Sequence, residues 1–157
     1  MLGVAQFIMI LDSSVMNVSI SQVAASLDTT ISGMQAAITM YALTMAAFML
    51  TGAKLGDIWG RKRTFVIGSM VYATGSFLTA ISGSLGMLLT GWSLIEGLGA
   101  ILVIPAIAAL TAINYSGKDR ITAFSLLSVA TGLAAALGPI IGGAVTTYLS
   151  WRYVFLG

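Results

Sequence analysis

Two carboxyl groups, Asp12 and Glu96, stand alone inside long apolar runs of this chain. Asp12 is the only charge between Met1 and Asp28, and Glu96 the only one between residues 64 and 117. A charge at the centre of a bilayer costs about 2.5–3.5 kcal/mol on insertion scales, so such a residue faces a partner or a wet cavity. A carboxyl group there can take up a proton when water reaches it from one side and release it towards the other. That is the elementary act of proton coupling. On a helix, Ser13 and Asn17 share a face, as do Asp12 and Ser19. Ser13, Ser14 and Asn17 are therefore expected to solvate Asp12 as an anion. Glu96 has only Ser93 and the small Gly97, Gly99 and Ala100 beside it, and is the better candidate for proton exchange. The alternative role for each acid is a packing hydrogen bond to a neighbouring helix.

A third concentration of chemistry is basic. Residues 52–63 hold four of the chain's seven Lys and Arg and one of its five acids. Consecutive Arg61, Lys62 and Arg63 against a hydrophobic span read as a short cytoplasmic loop, held on that side by the positive-inside bias. Gly56 and Gly60 bracket Asp57 and permit a tight turn. Asp57 precedes Arg61 by four residues, within ion-pair reach if the turn is helical.

The elements that must hold these groups are membrane spans. Of the 157 residues, 58% are hydrophobic and only 8% charged, against about 25% charged in a soluble domain. Such a chain cannot cover itself with a wettable surface and reads as an all-α, polytopic transmembrane bundle, the lipid bilayer its first partner. Alternating strands of the kind a membrane barrel requires are not seen. The absence of Cys and His removes disulfides, thiolate chemistry and the commonest metal ligands. With neither a metal cluster nor a nucleophile–base pair in view, the reading is not an enzyme, with no cofactor. The net charge of +2 sits in loops and implies topology rather than nucleic-acid binding.

Charge gaps place spans near 2–24, 33–53, 64–82, 86–112 and 121–148, with a sixth starting at Tyr153, in one incomplete domain covering 1–157. Val23-Ala24-Ala25 has the composition of a signal cleavage site. No basic region precedes it, and an uncleaved first span is the better reading. Loops 2–3 and 4–5 carry Lys54, Arg61, Lys62, Arg63, Lys118 and Arg120, whereas the opposite loops carry Arg152 alone. Six cations against one place the N-terminus in the cytoplasm of a multi-pass cell-membrane protein. In the fifth span, Ser128, Gly132, Ala135, Pro139, Gly143 and Thr146 are expected to form a packing face beside the Gly138–Gly142 pair. Pro139 is expected to kink that helix, and Pro105 the fourth.

Four local patterns, in order, resemble the major facilitator superfamily of secondary transporters. Leu55, Asp57, Gly60, Arg61, Lys62 and Arg63 match its G-x-L-x-D-x-x-G-R-[RK]-[RK] loop, with Ala53 at the leading Gly. Leu11-Asp12-Ser13-Ser14-Val15-Met16-Asn17-Val18 is similar to the L-D-x-T-I-V-N-V of helix 1 in its fourteen-span drug:proton antiporter branch. Gly138-Pro139-Ile140-Ile141-Gly142-Gly143 resembles G-P-x-x-G-G of helix 5, and Trp151-Arg152-Tyr153-Val154-Phe155 the W-R-x-x-F that follows. The helix 4 pattern R-x-x-Q-G-x-G is only partly kept: its Arg falls on Ser93 and its Gln on Glu96. The role tied to that Arg cannot be carried over.

The resemblance implies a partial N-terminal half of a transporter that works by alternating access between two six-helix halves. Its partners would be a small-molecule substrate, protons and a second, C-terminal half outside this sequence. The implied activity is proton-coupled efflux of small molecules or drugs. By resemblance, Asp57, Gly60, Arg61, Lys62 and Arg63 form a conformational loop, and Asp12, Asn17 and Glu96 lie on the proton or substrate pathway. Metabolite uptake or facilitated transport by another branch stays open, as does a non-transporting membrane module that associates through its GxxxG face.

Overall fold

The structure, a computed structural model, describes residues 1–156. Every regular element among the described residues is a helix. The first apolar run forms two of them, α1 (Leu2–Val18) and α2 (Ile20–Ser26), set at 71° to each other across Ser19. The expected first span, 2–24, is thus broken in its last third. After the loop at Asp28, Thr30 caps α3 (Ile31–Trp59) by accepting a hydrogen bond from the Gly33 amide at 3.1 Å.

Helix α3 does not end where the charges begin. It runs through Lys54 to Trp59, and α4 (Arg61–Ala80) starts immediately after Gly60. The basic stretch is therefore the last turn of one helix and the first of the next, joined by one residue. Gly60 has φ +91°, in the left-handed region that a side chain disfavours. α5 (Leu85–Asn114) follows a short loop, and its segment Leu89–Glu96 is wound as a π-helix. α6 (Gly117–Tyr148) and a 3₁₀ turn, Trp151–Phe155, complete the described chain. The residues expected to open a sixth span form that turn.

Helices α3, α5 and α6 are long and apolar enough to cross a membrane, and α1 with α2 make a fourth if the bent pair is one span. α4 is long enough but less apolar, with three cations in its first turn and Thr64, Ser69, Thr74, Ser76 and Thr79 along it. Lipid tails are as apolar as leucine, so helices gain little by hiding apolar side chains from lipid and associate instead through close packing and hydrogen bonds. Leu126, Leu133 and Ile140 of α6 and Met70 and Phe77 of α4 accordingly stay exposed.

Close packing is concentrated at glycines. α5 lies against both α3 and α4, and α1 packs mainly on α6. In the α4–α5 seam, a Cβ on Gly68 would come within 2.7 Å of Leu102 Cβ, and one on Gly91 within 3.1 Å of the Thr79 amide. Between α1 and α6, Gly138 leaves no room beyond Ser14, and Gly142 sits against Val15. The buried stripe of α6 is Ala134, Gly138 and Gly142. The expected stripe is displaced by one position: Gly132, Ala135 and Pro139 are exposed, and nothing approaches Gly143. The helix continues unbroken through Pro139, as α5 does through Pro105.

Candidate functional site

The buried face of α1 is Met9, Asp12, Val15 and Met16, the three- and four-residue steps of a helix. The α6 contact occupies the side carrying Ser14, and Asp12 turns instead towards α4 and α5. Two donors from those helices converge on one of its oxygens. The Tyr72 hydroxyl of α4 and the Trp92 indole Nε1–H of the π-helical segment each donate to Asp12 Oδ2, both at 3.1 Å. Tyr41 of α3 stacks on Trp92, ring centroids 4.7 Å apart and planes within 16°.

Glu96 completes the cluster. It lies one turn after Trp92 on α5, adjoining Asp12 and Tyr72, and is fully buried. Neither of its carboxyl oxygens has a hydrogen-bond donor among the described residues. Two close backbone approaches bring it there. A Cβ on Gly75 would sit 2.5 Å from the Glu96 amide nitrogen, and one on Gly99 would sit 2.5 Å from that of Tyr72. Real Cβ atoms do not come so near to backbone. α4 and α5 therefore meet at their main chains, which lets Tyr72 and Glu96 both reach Asp12. Ser93, at the position of the family's Arg, donates to the Ala37 carbonyl at 2.8 Å and ties the π-helical segment to α3.

Of the residues singled out from sequence, Asp12 and Glu96 come together and Asn17 does not join them. Its side chain is exposed and donates to the Ser13 carbonyl of its own helix at 2.8 Å. Ser14 points to the Ala135 carbonyl of α6. The solvation of Asp12 expected from Ser13, Ser14 and Asn17 is thus supplied by Tyr72 and Trp92. Sequence reasoning missed both, and Tyr41 with them. Trp92 carried a usable signal, since it precedes the isolated Glu96 by four residues and shares its helix face. Tyr72, a polar-tipped aromatic midway along a span and flanked at three residues by Gly75, carried a weaker one.

The second cluster sits where α3 meets α4. Arg61 and Asp57 form an ion pair across Gly60, although the link between them is not helical. Lys62 and Arg63 are exposed. Arg61 also lies along Gly56, where a Cβ would stand 3.4 Å from its Cδ. At the opposite end of the bundle, Arg152 donates to the Ser82 carbonyl at 2.8 Å and to Ser26 Oγ at 3.3 Å, its guanidinium 4.7 Å from the Trp151 ring centroid.

Comparison with known proteins agrees with this architecture. The family model described as Major Facilitator Superfamily matches residues 2–157. A protein of Streptomyces coelicolor named "Probable actinorhodin transporter" is 36% identical over 156 residues, 97% of this chain and 27% of that protein. The methylenomycin A resistance protein of Bacillus subtilis is 35% identical over 147 residues, 93% of this chain and 31% of its own length. A multidrug resistance protein of Mycobacterium tuberculosis is 28% identical over 154 residues, 98% of this chain and 28% of its length. The chain therefore spans less than a third of each of these relatives.

Proposed function

Since the chain belongs to the major facilitator superfamily, and resembles its drug:proton antiporter branch, we propose that it forms part of a proton-coupled exporter of small molecules that works by alternating access. The observation that carries the reading is the buried Asp12–Glu96 cluster. Two carboxyl groups inside a membrane-embedded bundle, one held by two donors and the other by none, form a site whose protonation can change with water access. The relatives' names, which speak of actinorhodin transport, methylenomycin A resistance and multidrug resistance, favour efflux and a small-molecule substrate. In this reading the protein is multi-pass in the cell membrane with its N-terminus in the cytoplasm. Asp57, Gly60, Arg61, Lys62 and Arg63 bias its conformational balance, through contacts with a C-terminal half.

The test is transport by the complete gene product in inverted membrane vesicles, with ethidium as the probe. An acidic lumen should drive accumulation of the dye, and nigericin, which collapses the pH gradient, should abolish it. Accumulation that ignores the gradient would leave a transporter without proton coupling. Failure to move ethidium or any of a panel of amphiphilic dyes would remove drug efflux from the reading.

A further inference from the structure

We propose that Asp12 and Glu96 hold a single proton between them at rest, carried on Glu96 and donated as a hydrogen bond to an anionic Asp12. The proposal rests on the reading of this cluster as the proton site and adds where the proton resides.

The argument starts from donors and acceptors. An ionised carboxylate only accepts hydrogen bonds, whereas a protonated one also donates. The two carboxyl groups adjoin each other, since Asp12 accepts from Trp92, one turn before Glu96, and from Tyr72, one turn before the Gly75 that touches the Glu96 backbone. Adjacent like charges do not both persist in a site closed to water. One of the two must therefore be neutral. The surrounding groups decide which. On α4 the Tyr72 hydroxyl is committed to Asp12, and on α5 so is the Trp92 indole. α3 offers Tyr41, whose ring is stacked on Trp92, and Ser93 of α5 is committed to Ala37. None of the lysine or arginine contacts in the described residues reaches the cluster: Arg61 pairs with Asp57, Arg120 with the Tyr115 carbonyl, and Arg152 with Ser26 and Ser82.

An anion at Asp12 thus has Tyr72, Trp92 and a Glu96 O–H as three donors. An anion at Glu96 would have an Asp12 O–H and at best a share of the Tyr72 hydroxyl, at a position with no exposure at all. Hydrogen bonds to charged acceptors are about twice as strong as neutral ones, so the arrangement with more of them on the anion is the stable one. It also accounts for the unpartnered Glu96 oxygens: protonated, Oε gains the neighbouring Asp12 as its acceptor. The pair then carries one negative charge and one removable proton.

Infrared difference spectroscopy of the complete gene product in lipid nanodiscs tests this directly. At neutral pH the wild type minus Glu96→Gln spectrum should contain one protonated-carboxyl C=O band. Carboxyl-¹³C glutamate should move that band to lower frequency, and labelled aspartate should leave it in place. Asp12→Asn should keep the band but raise its frequency, because the O–H loses a charged acceptor. A band that follows the aspartate label would put the proton on Asp12 and overturn the assignment. Should Glu96→Gln fail to fold, the labelled wild type still decides: no acid band that moves with labelled glutamate means that Glu96 is ionised. These bands report a resting proton whatever the transport assay finds. Loss of coupling with the band intact counts against the transport reading alone, and coupled transport without the band counts against the shared proton alone.

Discussion

Gly75 of α4 rests on the backbone of Glu96 of α5, so closely that a Cβ would stand 2.5 Å from the Glu96 amide nitrogen. Gly99 repays the contact one turn further along, against Tyr72. These two approaches hold α4 and α5 at the separation at which Tyr72, Trp92 and Glu96 all reach Asp12. Gly75→Ala or Gly99→Ala should push the helices apart. Overpacking of this kind costs about 1–3 kcal/mol, and gradient-driven transport should fall with it. Gly86→Ala, with nothing within 4 Å of its Cβ, is the control. Thermal unfolding of the purified proteins would read the difference. Equal midpoints for Gly75→Ala and Gly86→Ala would show that the seam relaxes freely.

The two donors to Asp12 give a graded prediction. Tyr72→Phe and Trp92→Phe each remove one hydrogen bond to a charged acceptor, a loss of about 1.5–3 kcal/mol in a buried setting. Each should destabilise the folded protein and weaken transport, and the cost of the double variant should differ from the sum of the two. Both bonds end on the same Oδ2 atom, and residues that share a partner do not act independently. A double-variant cycle of unfolding free energies checks this, with strict additivity as the contrary result.

How much of this was legible beforehand differs between fold and site. The helical class and the position of most apolar runs follow from charge-free stretches long enough to cross a bilayer. The isolated acids were visible for the same reason, as charges where charges are costly. Their partners were not. Which faces of α1, α4 and α5 meet depends on main-chain contacts at Gly75 and Gly99, and composition does not distinguish those glycines from Gly86 or Gly143. The π-helical winding of Leu89–Glu96 and the break at Ser19 left no mark in hydropathy. The α6 stripe was read one position off, because small residues occur on several faces of that helix. The buried face is that of the neighbouring Gly138–Gly142 pair, with Ala134 a turn before it.

The proposed topology rests on the distribution of cations. Six of the seven lysines and arginines lie between residues 54–63 and 118–120, and Arg152 stands apart at the end that holds Ser26 and Ser82. In this Cys-free chain, Gly117→Cys should be silent to an impermeant thiol reagent added outside intact cells, and Ser84→Cys should be labelled. The reverse pattern would invert the orientation.

The ion pair across Gly60 should act on conformational balance rather than on substrate. Asp57→Asn in the complete gene product should slow turnover while leaving dye affinity within about tenfold, or ~1.4 kcal/mol. Gly60→Ala should also slow it, because φ +91° strains any residue with a side chain. Transport rates and equilibrium dye binding, measured on the same preparations, separate the two effects. Wild-type turnover in Asp57→Asn would leave the basic stretch with a topological role only.

The central claim is that the Asp12–Glu96 cluster couples proton movement to transport. It is tested most directly by Glu96→Gln in inverted vesicles, assayed with and without an imposed pH gradient. Gln keeps the side-chain shape and a permanent donor towards Asp12 but has no proton to release. The account predicts that gradient-driven ethidium accumulation is lost while dye binding or exchange persists, and that Asp12→Asn instead impairs binding, most for cationic dyes. Full gradient-driven accumulation by Glu96→Gln would contradict it.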